Sequence, residues 1–184
     1  MKGNRAAIAA VLVIVLVLAG WWLFKRGSAG EGVDLLARWD EAVKRPSPDI
    51  FQVMDVNLAG ETRKAIAVKP LGGSRLIWKL RVPDDAWVGV SVGLQPEAWE
   101  QEGDGILFRV GVSDGRTFED LIKQHVNPFA NKGERKWIPL FVDLSAYAGE
   151  EIELIFNTNA SVPEKAEDQR GDLALWGAPS IVIR

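Results

Sequence analysis

The chain has 184 residues, 47% hydrophobic and 26% charged, with a formal net charge of −3. That is enough for one domain with a real core, and nothing in the balance fits a disordered or fibrous chain. The 22 basic residues are scattered among 25 acidic ones, which argues against a nucleic-acid partner, and the absence of cysteine removes disulfides, thiolate metal sites and cysteine nucleophiles.

Residues 1–5 read as a cytoplasmic tail. From Ala6 to Phe24 the chain runs 19 residues without a charge, "AAIAAVLVIVLVLAGWWLF", and then meets Lys25 and Arg26. At about 1.5 Å per residue such a helix is roughly 28 Å long, one hydrocarbon core. Each central Leu, Ile or Val favours insertion by about 0.3–0.6 kcal/mol. Trp21 and Trp22 stand where an aromatic belt meets the lipid headgroups, with Lys25 and Arg26 just beyond. A cleaved signal peptide competes with this reading, but its apolar region runs only about 7–15 residues and ends in small residues. The "LAGW" stretch has Trp21 where a lipoprotein box needs its cysteine. The sequence predicts an uncleaved single-pass anchor over residues 6–24, with the lipid bilayer as its partner.

Orientation rests on less, since Lys2 and Arg5 nearly balance Lys25 and Arg26. Those four are the basic residues before Gly27, so the rest of the chain holds 18 basic against 25 acidic residues, a net −7. An anionic cytoplasmic leaflet repels such a body. This agrees with a cytoplasmic N-terminus and a periplasmic or extracellular domain, the placement that the kind of domain following the anchor favours.

Residues 25–49 read as a hinge, a short amphipathic helix and a proline linker. "GSAGEG" is flexible. "VDLLARWDEAVKR" puts Leu35, Leu36, Trp39, Ala42 and Val43 on one helical face, and "PSP" stops it at Pro46. Such a helix packs on the domain or docks on a partner; Asp34, Asp40 and Glu41 on its polar side oppose the membrane surface.

From Ile50 the period becomes alternating. Eight stretches read as strands: "IFQVMDVNLA", "RKAIAVKPL", "SRLIWKLRVP", "AWVGVSVGL", "GILFRVGVS", "KWIPLFVDLS", "EIELIFNTNA" and "LWGAPSIVIR". Turn signals such as "LAGE", "SDGR" and "YAGE" separate them. Leu76, Trp78, Leu80 and Val82 alternate with Arg75, Ile77, Lys79 and Arg81; Ile152, Leu154 and Phe156 alternate with Glu151, Glu153 and Ile155. Each strand thus has a buried and a wet face. "RTFEDLIKQHVNP" reads as a further strand or a short irregular element. The fold class is mostly β, an antiparallel jelly-roll sandwich over residues 50–184.

Three stretches, "DGILFRVGVSDG", "WIPLFVDLSAYAGEEIELIFNTN" and "DLALWGAPSIV", resemble the galactose-binding-like jelly roll over about Leu76 to Ile183. That fold occurs in carbohydrate-binding modules and in accessory domains of bacterial envelope proteins. The resemblance implies a non-catalytic binding domain with a glycan or other envelope ligand at a sandwich rim. It also leaves three roles for Asp172, which opens the last motif: a turn residue, a ligand to a structural calcium, or a ligand contact. Calcium asks for about six to eight oxygens, and the sequence singles out no such set; no other cofactor is implied.

"GVSDG" formally matches G-x-S-x-G, but a nucleophile elbow needs a strand-to-helix turn and a later histidine as partner. His125 is the one histidine, and Asp114–Gly115 read as a hairpin turn around Ser113's strand end. A lone His125 makes no multi-histidine metal site. The eight tryptophans stand against one tyrosine. Trp78 belongs to the core. Trp99 lies in the polar loop "QPEAWEQEGDG", where it either folds back over the rim or stacks on a sugar or a partner. The candidate ligand residues are therefore Trp99, His125 and Asp172. The rival reading is an accessory subunit of a larger membrane protein complex, held through the anchor and the sandwich.

Overall fold

The structure is a computed structural model, and it describes residues 32–69, 73–159 and 173–184. The anchor expected over residues 6–24, its interface residues Trp21, Trp22, Lys25 and Arg26, and the candidate Asp172 lie outside the described residues. Among the described residues no helix is long and apolar enough to cross a membrane.

The described chain forms strands β1 (Val33–Asp34), β2 (Val43–Arg45), β3 (Phe51–Leu58), β4 (Glu61–Val68), β5 (Ser74–Arg81), β6 (Ala86–Leu94), β7 (Ile106–Ser113), β8 (Phe118–Val126), β9 (Ile138–Asp143), β10 (Glu151–Asn159) and β11 (Ala174–Ile183). Two antiparallel sheets result. One runs β3-β4-β11-β6-β9 with β1 added along β11; the other runs β2-β5-β10-β7-β8. From β4 to β11 the chain winds between the sheets as 4-11-6-9 and 5-10-7-8, the strand order of a jelly roll.

Alternation dictates the core. Leu76, Trp78 and Leu80 of β5 and Ile152, Leu154 and Phe156 of β10 point inward and are buried. An aromatic chain crosses the sandwich: Trp78 meets Phe156 edge-on at 5.3 Å, Phe156 meets Trp176 at 4.7 Å, and Trp176 meets Phe108 at 5.0 Å. Such pairs add about 0.5–1.5 kcal/mol each beyond area burial. The Trp176 indole N–H is satisfied inside by the Thr158 hydroxyl at 2.9 Å.

Residues 33–45 do not form the expected amphipathic helix. Val33 and Asp34 pair with Ile181 and Ser180 of β11, a 3-10 turn covers Trp39–Glu41, and Val43, Lys44 and Arg45 pair with Ile77, Leu76 and Arg75 of β5. Thirteen residues form a marginal helix in water on their own, whereas two sheet edges and a core position outcompete it here. Leu35 is fully buried, and its N–H donates to the Pro179 carbonyl at 3.1 Å. Lys44 lies over the Trp39 ring, 4.1 Å from its centre, and donates to the Trp39 carbonyl at 2.8 Å. The strap is part of the sandwich, so the compact unit runs Gly32–Arg184.

"RTFEDLIKQHVNP" does form a strand, β8. Pro179 falls where pairing breaks: the β11–β6 register shifts between Gly177 and Ser180, and Ala178 has φ 45°. A proline in an inner strand is tolerated at such a bulge.

Candidate functional site

The two outer faces of the sandwich differ. On the six-stranded sheet a second apolar cluster, Val56, Leu58, Ala65, Ala67, Trp137 and Leu175, closes much of the face. The far half of the β3–β4 hairpin lies over this face. Arg63 donates to the Ser91 hydroxyl at 2.6 Å, and the Trp137 indole donates to the Glu61 carbonyl at 3.0 Å. Gly177 makes room for Trp137, since a Cβ there would meet the ring at 2.7 Å.

The outer face of the five-stranded sheet is open, and three cross-strand rows cover it. One row is Val43, Ile77, Ile155, Gly111 and Asp120; the next is Arg45, Arg75, Asn157, Arg109 and Lys123; on the other side come Lys79, Glu153, Ser113 and Phe118. A cleft of about 400 Å³ lies on this face against Val43, Arg75, Ile77, Arg109, Phe118 and Asn157. A second of about 520 Å³ meets it at Lys79, Ser113 and Glu153 and extends to Arg81, Asp114 and Glu151.

Ile77 and Ile155 form an apolar floor, each only 7% exposed although both point outward. Phe118 is 41% exposed and lies across Gly111, where a Cβ would come within 2.7 Å of the Phe118 ring. Glycine is thus what lets the phenyl ring lie down on the sheet. Arg109 stacks on the same ring with its guanidinium carbon 5.5 Å from the centre. Its Nε donates to Asp120 Oδ1 at 2.8 Å and its Nη2 to Asp120 Oδ2, while Lys123 reaches Asp120 at 3.0 Å. The Arg109 guanidinium, helped by Lys123, holds the Asp120 carboxyl below the usual carboxylate range, and burial opposes this. Asn157 is 5% exposed, and its Oδ1 meets no donor among the described residues. Leaving a buried carbonyl unpaired costs about 1–3 kcal/mol.

Trp99 and His125 go to different faces. The Trp99 indole N–H donates to the Leu94 carbonyl at 3.0 Å, and its half-buried ring packs on the second apolar cluster. Arg135 pins the loop, donating to the Trp99 carbonyl and to Glu100 at 2.7 Å each. His125 is exposed on β8 opposite Leu107, on the open face, with Nε2 2.7 Å from the Asp104 carbonyl. Their loops do meet: Asn127 donates to the Gly103 carbonyl at 2.9 Å, and Arg135 bonds the Pro128 carbonyl at 3.1 Å. Ser113 pairs with Phe118 and His125 with Leu107, at opposite ends of the β7–β8 ladder, roughly 20 Å apart at about 3.3 Å per residue. That separation rules out a serine–histidine pair.

The structural calcium that the resemblance allows is tied to Asp172, which lies outside the described residues. Among the described residues no three His, Cys, Asp or Glu side chains gather to hold a metal ion. Asp104 has both carboxylate oxygens buried without a partner among the described residues, but one carboxylate falls short of the six to eight oxygens or so that calcium takes.

No family model matches the sequence. An uncharacterized protein of Archaeoglobus fulgidus is 39% identical over 105 residues, 56% of this chain and 25% of the relative, so the chain spans about a quarter of the length of the curated relative it matches. Among solved structures, the CBM51-2 and INT domains of Clostridium perfringens ZmpB, in complex with GlcNAc, are similar over 83% of this chain and 32% of that one, with 15% identity and TM-score 0.52. The CBM22-2 xylan-binding domain of Paenibacillus barcinonensis Xyn10C is similar over 84% of this chain and 99% of that one, with 7% identity and TM-score 0.50. At these identities the likeness is one of fold. The described chain shares the two-sheet antiparallel sandwich of carbohydrate-binding modules.

Proposed function

We propose that this chain is a non-catalytic glycan-binding domain, anchored in the cell membrane through residues 6–24 and displayed on the periplasmic or extracellular side. The glycan lies in the cleft on the open face of the β2-β5-β10-β7-β8 sheet. The observation that carries this reading is the orphaned Asn157 carbonyl, buried in a cleft beside the exposed Phe118 ring. A sugar offers what those two groups lack together: hydroxyl donors on its edge and an apolar face to stack. His125 extends the same face, and Asp172 and the exposed part of Trp99 remain rim candidates. A glycan array probed with the full-length chain in mild detergent tests it. Retention falls at least about tenfold in Phe118→Ala if the open face is the site. Retention that ignores Phe118 but is lost in Trp99→Ala moves the site to the rim.

The second reading, an accessory subunit of a membrane complex, has its own observation. Phe141 on edge strand β9 is 54% exposed, and Arg184 lies against it and against Trp87, 5.3 Å and 4.6 Å from the ring centres. Stoichiometric membrane partners in a gentle-detergent pull-down, lost in Phe141→Ala, favour that reading.

A further inference from the structure

We infer that the open-face cleft takes an anionic polysaccharide, one bearing carboxylate or sulfate groups, with its charged edge along the Arg45–Arg75–Asn157–Arg109–Lys123 row. This rests on the glycan reading and adds the ligand's charge class.

The row joins five neighbouring strands through direct register pairs: Arg45 with Arg75, Arg75 with Asn157, Asn157 with Arg109, and Arg109 with Lys123. Four gaps of about 4.8 Å make a track roughly 19 Å long. The acids that face it are Asp120, bound to both Arg109 and Lys123, and Glu153, which pairs with Lys79 at 3.4 Å. Arg45 and Arg75 are exposed and make no ion pair or side-chain hydrogen bond with another described residue. Counting these groups with Lys79, the face carries an excess of positive charge on a body that is net negative after the anchor. Charge of one sign in a cleft with apolar walls concentrates the field on a ligand there.

Two features favour a charged sugar chain over another polyanion. The cationic row runs beside an apolar row, Val43, Ile77 and Ile155, with the Phe118 ring over Gly111, so the ligand needs an apolar face as well as a charged edge. The Asn157 side-chain carbonyl in the middle of the cationic row has no donor among the described residues; a sugar hydroxyl supplies one and a fully ionised phosphate or sulfate group does not.

The test measures binding of the full-length chain in uncharged detergent to a matched pair, an oligo-uronate and the same oligosaccharide with its carboxyls reduced to alcohols. A sulfated oligosaccharide, anionic lipid vesicles and duplex DNA serve as further probes. The inference expects the oligo-uronate or the sulfated chain to bind and the reduced chain to bind at least about tenfold more weakly. Which of the two binds better identifies the source of the charge. The bound affinity falls as salt rises. Arg45→Ala and Arg75→Ala each weaken it about tenfold, while Lys64→Ala, an exposed lysine of β4, leaves it unchanged. Equal binding of the charged and reduced chains, both lost in Phe118→Ala, overturns the charge class and leaves the glycan site standing. No binding of any oligosaccharide, or binding indifferent to both Phe118→Ala and Arg75→Ala, overturns the glycan site as well. Stronger binding to vesicles or DNA than to every oligosaccharide overturns the inference.

Discussion

At the scale of single residues, Asp120 is the pivot of the open face. It neutralises Arg109 and holds Lys123, and its carboxyl is shifted down chiefly by the hydrogen bonds from Arg109. A carboxyl lowered in the folded state stabilises the fold above its unfolded value, about pH 4 for aspartate, and loses that contribution as the pH falls through its native value. Urea midpoints measured across acid pH should therefore drop for the wild type below about pH 4, and Asp120→Asn should remove that part of the slope. Phe118 and Trp99 separate binding from folding. Phe118→Ala removes an exposed ring and should leave the melting temperature nearly unchanged while glycan binding is lost. Trp99→Ala strips a half-buried ring and a satisfied indole from the second cluster, and thermal melts should show a loss of about 1.5–3 kcal/mol. Phe118 was visible in the sequence only as one aromatic in an ambiguous stretch. Its role depends on Gly111, which stands opposite Asp120 in the neighbouring strand, a relation that no local pattern contains.

At the scale of elements, alternation predicted which side chains of β5 and β10 face inward, because period two is imposed by the strand itself. The same alternation held the clue to the site. On the outward face Ile77 stands between Arg75 and Lys79 and Ile155 between Glu153 and Asn157, and the two are direct partners across the β5–β10 ladder. Val43 and Phe118, 43% and 41% exposed, leave apolar surface on the same face. The strap over residues 33–45 was misread because its apolar spacing fits a helix, while its partners, Ile181 in β11 and Ile77 in β5, are more than 30 residues away in the chain. Pairing of that kind overrides a weak local preference. Leu35→Ala should then cost about 2–4 kcal/mol in denaturant unfolding, where a loosely docked helix would lose little. Gly111→Ala should both destabilise the β7–β8 edge, by about 1–3 kcal/mol, and weaken glycan binding by tilting the Phe118 ring. Melting curves and binding isotherms on the same variant check the two effects together.

At the scale of the whole molecule, much of one outer face of the sandwich is covered by the β3–β4 hairpin and the second apolar cluster, and the other is open, cationic and partly apolar. The fold class was readable from strand number, turn spacing and the three motif stretches. The choice of face was not, because it depends on where the β3–β4 hairpin lies. The most direct measurement maps amide chemical shifts in the full-length, micelle-held protein as it is titrated with the oligo-uronate and with its carboxyl-reduced counterpart. With the glycan on the open face, at least one of them shifts Arg75, Ile77, Arg109, Gly111 and Asn157 most, and the Trp99 indole stays unmoved. Shifts centred on Trp99 and the Asn127–Arg135 loop, or no shifts from either oligosaccharide, would contradict that placement.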